Sequence, residues 1–162
     1  MVIIGVGNEF RHDDGVGWAV LARLAEPEAG GALPRGTVLR TCDGDPGRLL
    51  GLWEGADLCV VLDAAEGRPP RPGRVHLLTL DRTGPAPSRA TSSHGLGLGE
   101  AVELSRALHR LPGRLVVYAV EGADTSPGIG LSPEVAARVD ALARLVLDEV
   151  AAFHAGTSGE RQ

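Results

Sequence analysis

The chain of 162 residues contains no lysine, and all sixteen of its basic residues are arginine. A Walker-type phosphate loop needs a Gly-Lys-Ser/Thr run, so that class of nucleotide site is excluded. Aromatic side chains are almost as scarce, with two Trp, two Phe and one Tyr, which removes base stacking as a binding mode and leaves an aliphatic core. The two cysteines, Cys42 and Cys59, each sit inside an apolar stretch and form no CxxC pair. They read as reduced core residues rather than redox or metal groups. There is no GxSxG elbow and no HExxH helix, the signatures of two common hydrolase classes. No apolar run approaches the roughly 18 residues of a spanning helix. Met1 leads directly into an apolar segment with no basic stretch ahead of it, so no membrane span or secretory leader is expected, and the protein is expected in the cytoplasm.

The net charge is −5 and the isoelectric point about 5.5. With the arginines read as scattered singly, neither nucleic acid nor an anionic membrane is expected as a partner. The length suits one domain with a two-sided core over a sheet, expected over residues 1–155 with a frayed tail at 156–162.

What is present is concentrated at the start. Val2, Ile3, Ile4 and Val6 form a short apolar run ended by Gly5 and Gly7, as a buried central strand would. Val16, Val20 and Leu24 then recur at helical spacing. Between them lies a dense polar stretch, Asn8, Glu9, Arg11, His12, Asp13 and Asp14. Gly5 and Gly7 are followed by Phe10, where a dinucleotide fingerprint needs a third glycine. The glycines therefore read as permitting a sharp exit from the strand.

Further strands are expected at 37–41, 56–62, 75–80 and 115–120, the third of the five being the strongest because Leu58 to Leu62 is unbroken apolar sequence ending at Asp63. Helices are expected from Pro46 through Trp53, from Leu98 through Leu108, and from Pro133, capped by Ser132, through Val150. Residues 83–97 form a long polar connection. Strands alternating with helices predict an α/β three-layer sandwich, a mostly parallel five-stranded twisted sheet between helical layers.

Three polar residues follow strands or open helices, Asp14, Asp63 and His94. In a doubly wound sheet the C-terminal strand ends gather into one crevice, so these three can converge. Two carboxylates and an imidazole make a donor set suited to a divalent transition metal. Each also has a simpler reading, with Asp13 or Asp14 capping the first helix, Asp63 bonding a loop backbone, and His94 an ordinary loop residue. His12, His76, His109 and His154 read as surface or packing residues.

Five segments in order, GVGNEFRHDDGVG from Gly5, DGDPGRLL from Asp43, LDAAEG from Leu62, SSHGLGL from Ser92 and GIGLSPEV from Gly128, resemble the successive motifs of the nickel-iron hydrogenase maturation endopeptidases. The resemblance covers nearly the whole chain. It implies a protease that removes a C-terminal extension from the hydrogenase large-subunit precursor after nickel insertion. The nickel would be supplied by that precursor, and no organic cofactor is implied. By motif, Asp14, Asp63 and His94 match the family's metal-contacting residues. Asp43 matches the aspartate of a DGG-type turn near the same cleft, and Asp45 stands where that turn usually carries its second glycine. The small acidic chain is expected to work as a monomer. Two other readings are a nickel-dependent binding module that does not cleave, and a flavodoxin-like phosphate or nucleotide binder resting on Gly5, Gly7 and the sheet.

Overall fold

In the computed structural model, which describes residues 1–27, 31–84 and 96–159, the apolar opening run is β1 (Val2–Val6), buried along its whole length. It pairs in parallel with β2 (Val38–Cys42) on one side and β3 (Leu58–Ala65) on the other. β5 (Arg114–Glu121) runs parallel to β3, and β4 (Val75–Asp81) closes the far edge, so the strand order is β2-β1-β3-β5-β4. The chain steps outward from β1 to β2 and then crosses back to β3. The C-terminal ends of β1 and β3 therefore flank the point where strand order reverses, the place where open α/β sheets hold their ligands.

The expected α/β architecture is present, and one detail differs: the sheet is mixed rather than mostly parallel. β4 is antiparallel to β5. Only residues 66–74 separate β3 from β4, and a parallel crossover needs about a dozen or more. The chain returns from the end at which β3 leaves it, and so runs the other way. β4 is an edge strand with Leu80 alone buried.

Helices cover both faces. On one, α1 (Val16–Ala25) and α5 (Val139–Gly159) pack Val20, Leu24 and Val146 onto Ile3, Leu62 and Val116. On the other, α2 (Pro46–Trp53) and α3 (Leu96–Ala107) pack Leu49, Trp53 and Ala101 onto Ile4, Val61 and Val117. The alternation of inward residues along each parallel strand divides the core into these two layers. Trp53 is fully buried, and its indole N–H donates to the Ser105 hydroxyl at 3.0 Å, which accounts for the polar interruption in α3. Both cysteines are buried and free. Among the described residues no helix is long and apolar enough to cross a membrane.

Three expected boundaries shift. β3 starts at Leu58 and continues through Asp63 to Ala65, because Asp63, Ala64 and Ala65 pair with Ala119, Val120 and Glu121. Leu108 lies beyond α3 and is half exposed. The long C-terminal helix is two, α4 (Pro133–Ala136) and α5, and Ser132 makes no side-chain cap on the first.

Gly17 shows how tightly α1 approaches the sheet. A Cβ there would lie 2.4 Å from the Leu62 carbonyl oxygen. Gly17→Ala should therefore destabilise the protein by about 1–3 kcal/mol through forced separation of α1 from β3. Gly51, exposed inside α2 with nothing within 4 Å of the equivalent position, provides the contrast. Gly51→Ala should stabilise by up to about 1 kcal/mol. Urea unfolding of the two variants checks both signs.

Candidate active site

β1 ends in a turn that only glycine fits. Gly7 has φ +123°, and a Cβ on it would come 1.9 Å from the Asp14 carbonyl oxygen. The chain then folds back on itself. The Asn8 side-chain oxygen accepts from the Phe10 amide, and the Asp14 carboxylate accepts from the Asn8 amide, each at 2.9 Å. A 3₁₀ turn at His12–Gly15 leads into α1, and Gly15 occupies the N-cap without a side-chain bond. Neither Asp13 nor Asp14 caps α1, so the simpler reading of these residues does not apply.

Asp13 is fully buried and reaches across the molecule. Its carboxylate accepts from the amides of Ala123, Asp124 and Ser132 and from the Ser132 hydroxyl, at 2.7–3.0 Å. Burial on its own would push this carboxyl up, but the Ser132, Asp124 and Ala123 amides and the Ser132 hydroxyl outweigh it and hold the group below the usual range. The Ser132 hydroxyl that would cap α4 is spent here. Around this anchor the two loops pair backbone to backbone. His12 N–H donates to Gly128, Gly128 N–H to Phe10, and Asp13 N–H to Asp124. Arg11 Nε donates to the Thr125 carbonyl, and His12 Nδ1 to that of Gly130. His12, read from sequence as a surface or packing residue, is a clamp between the two loops, held at φ +43°. Beside it Phe10 and Ile129 stand largely exposed, at 60% and 77%.

Asp63 lies within β3 near its C-terminal end and is 7% exposed. Among the described residues its side chain accepts from the Ala64 amide alone, at 2.8 Å. Burial pushes the carboxyl up to about 7; the Ala64 hydrogen bond opposes this, and the nearby charge of Asp14 adds to it. The two residues read from the sequence as converging on one crevice are therefore within electrostatic reach of each other. A carboxyl that titrates near neutrality beside a second carboxylate can exchange a proton at physiological pH. The same pair would take up a cation, which relieves their mutual repulsion.

Asp43 occupies the turn after β2 and is exposed. Its carboxylate accepts from the Asp45 amide and from Arg48 Nη1, at 3.3 and 3.2 Å. The Asp45 amide first and the Arg48 charge after it hold the group below the usual range. Asp45 is the N-cap of α2 and accepts from the Arg48 amide at 2.8 Å. The start of α3 rests on this turn, since a Cβ on Gly97 would lie 2.3 Å from the Gly44 carbonyl oxygen. His94 lies outside the described residues. Among the described residues no group of three or more His, Cys, Asp or Glu side chains is gathered to hold a metal ion. Asp14 and Asp63 are the described members of the expected set.

Comparison with known proteins agrees with this architecture. A family model described as hydrogenase maturation protease matches residues 44–149. The hydrogenase 2 maturation protease of Escherichia coli (strain K12) is 25% identical over 151 residues, covering 91% of this chain and 88% of that protein. The fold superposes on the hydrogenase maturating endopeptidase HybD from E. coli with a TM-score of 0.74 at 23% identity, over 94% of this chain and 92% of that one. The [NiFe] hydrogenase maturation protease HybD from Thermococcus kodakarensis gives a TM-score of 0.67 at 22% identity, over 92% and 98%.

Two outcomes are expected of the carboxylates. Asp63, with its folded pKa raised from 3.8 to about 7, is easier to ionise in the unfolded chain. Its effect on stability is absent at low pH, grows as pH rises from about 4 to about 7, and is constant above. Asp63→Asn should therefore stabilise the metal-free protein at pH 8 by up to about 4 kcal/mol and hardly at all at pH 4. A gain independent of pH in urea titrations would count against a raised carboxyl. Asp13→Ala, which removes the shared acceptor of three amides and the Ser132 hydroxyl, should cost about 2 kcal/mol or more, readable as a lowered thermal midpoint.

Proposed function

The chain belongs to the hydrogenase maturation protease family, and on that premise we propose that it removes the C-terminal extension of a nickel-iron hydrogenase large-subunit precursor after nickel has been inserted. The observation that carries this reading is the Asp14–Asp63 pair at the switch point of the sheet, with one carboxyl driven toward neutrality by burial and by its neighbour. Asp14, Asp63 and His94 would contact the precursor's nickel, which arrives as part of the substrate. Docking a cation against the pair lowers the pKa of Asp63 and releases its proton. It also fixes the scissile peptide beside the cleft, so a precursor without nickel lacks the contact that positions its extension.

Hydrolysis by water fits the residues at hand. Both thiols are buried, with Cys42 and Cys59 pushed up by burial, so neither is an accessible nucleophile. Water adds to the scissile carbonyl carbon, the C–N bond breaks, and the proton lost by the water ends on the departing amine. Asp43, at the turn on which α3 rests, would flank the substrate path. The same reading assigns the activity to the single domain of residues 1–155, working as a monomer in the cytoplasm.

The test is incubation of the purified protein with nickel-loaded and nickel-free precursor, following the precursor's mass. Loss of a C-terminal fragment from the loaded form alone is expected. Asp14→Asn, Asp63→Asn and His94→Ala should each slow that processing by about 100-fold or more. Metal-dependent binding of a precursor that never becomes shorter would overturn the proteolytic reading in favour of a binding module.

A further inference from the structure

Most arginines with described side-chain contacts on this acidic chain have found an acid. Arg23 bonds Glu26 and Asp140, Arg48 bonds Asp43, Arg110 bonds Glu54, and Arg114 bonds Glu149. The loop between β3 and β4 breaks this pattern. Its sequence Arg68-Pro-Pro-Arg71-Pro-Gly-Arg74 places three exposed guanidinium groups around one hollow of about 620 Å³, with Glu66, His76 and Glu121 completing the wall. Arg138 joins Arg71 and Arg74 along an adjoining depression. Four of the sixteen arginines are gathered here.

The loop is built rather than loose. Glu121 at the end of β5 is 2% exposed, and its carboxylate accepts from the Arg71 amide at 2.6 Å and from His76 Nε2 at 2.7 Å. Its backbone accepts from the Gly73 amide and donates to the Arg74 carbonyl. The buried acid is thus engaged from beneath by groups that shape the loop. Arg74 acts on it electrostatically, while the side chains of Arg68 and Arg71 form no ion pair among the described residues. Holding like charges together on one concave surface is unfavourable unless an anion joins them, and planar guanidinium forks match carboxylates. The position is informative as well. Glu66 follows Asp63 by three residues of extended chain, so the hollow begins roughly 10 Å from the Asp63 backbone along the same crest of the sheet.

We propose that this hollow is a carboxylate-binding site, held by Arg68, Arg71 and Arg74, that docks an acidic segment of the precursor beside the catalytic cleft. The assignment rests on the protease reading above for the identity of its ligand. It gives a second point of attachment at a fixed distance from the carboxylate pair, which sets the register of the substrate and favours precursors with acidic side chains at that spacing. As an exposed electrostatic contact, it contributes chiefly to encounter and selection, and weakens as salt rises.

The experiment measures binding of nickel-loaded precursor to the immobilised wild-type protein, to R68A/R71A/R74A, to the charge-reversed R68E/R71E, and to R144A, which removes an exposed arginine on α5. Each is measured at low and at raised salt, with precursor mass followed in parallel. The triple variant should bind about tenfold or more weakly, lose most of the salt dependence, and keep its kcat at saturating precursor. R68E/R71E should be weaker still, and R144A unchanged. Equal affinity and equal salt dependence in the wild type and the triple variant would overturn the site, as would the absence of precursor binding to the wild type. If the wild type binds but never shortens the precursor, the protease reading fails by itself, and the affinity comparison still decides the docking site.

Discussion

One buried carboxylate holds the working end of this molecule together. Asp13 is withdrawn completely from water, a transfer that costs several kcal/mol for an unpaired charge. It is tolerated because four donors surround it, three of them backbone amides from residues 123–132. Together with the backbone pairs between His12 and Gly128 and between Gly128 and Phe10, these bonds tie the turn after β1 to the segment after β5. Asp14 is the next residue along the chain, so its position is inherited from this tie. Gly7 permits the chain reversal, and the Asn8 amide fixes the Asp14 carboxylate.

Asp63 is the counter-case. It is almost as shielded from water, yet one amide is all it accepts from, and its pKa moves the opposite way. Asp13 has four donors to outweigh its burial, whereas Asp63, surrounded more deeply by protein, has one donor and burial dominates. A carboxylate with four hydrogen bonds is a fixed structural charge, whereas one with a single hydrogen bond and an acidic neighbour stays ready to gain or lose a proton. Asp13 serves as scaffold and, on the proposed reading, Asp63 as reagent, and the fold brings both to the same crest.

Much of this was legible in the residues. The apolar run at Val2 to Val6, the glycine exit and the helical spacing of Val16, Val20 and Leu24 announce β1, α1 and a polar turn between them. The unbroken run from Leu58 to Leu62 announces the central strand that carries Asp63. The Asp13 tie was not legible, because its partners lie more than 100 residues away and include backbone amides, which carry no sequence signal. The direction of β4 was hidden for a different reason: strand signals in a single sequence report burial, not orientation, and only the shortness of residues 66–74 hints at the reversal.

The placement of Asp63 inside a strand rather than in the loop beyond it bears on how the site can work. A loop carboxylate would relieve its desolvation by turning toward water. Asp63 cannot do so by moving its backbone, because its register against Ala119 is continued by Ala64 and Ala65 against Val120 and Glu121. Leu62 beside it is locked by the approach of Gly17. The sheet therefore enforces the raised pKa, and an arriving cation finds the carboxyl already in position instead of having to recruit it. On the proposed reading, that rigidity would make metal contact a condition of processing, because a strand-held carboxyl would gain its counter-charge from a ligand entering the cleft between β1 and β3.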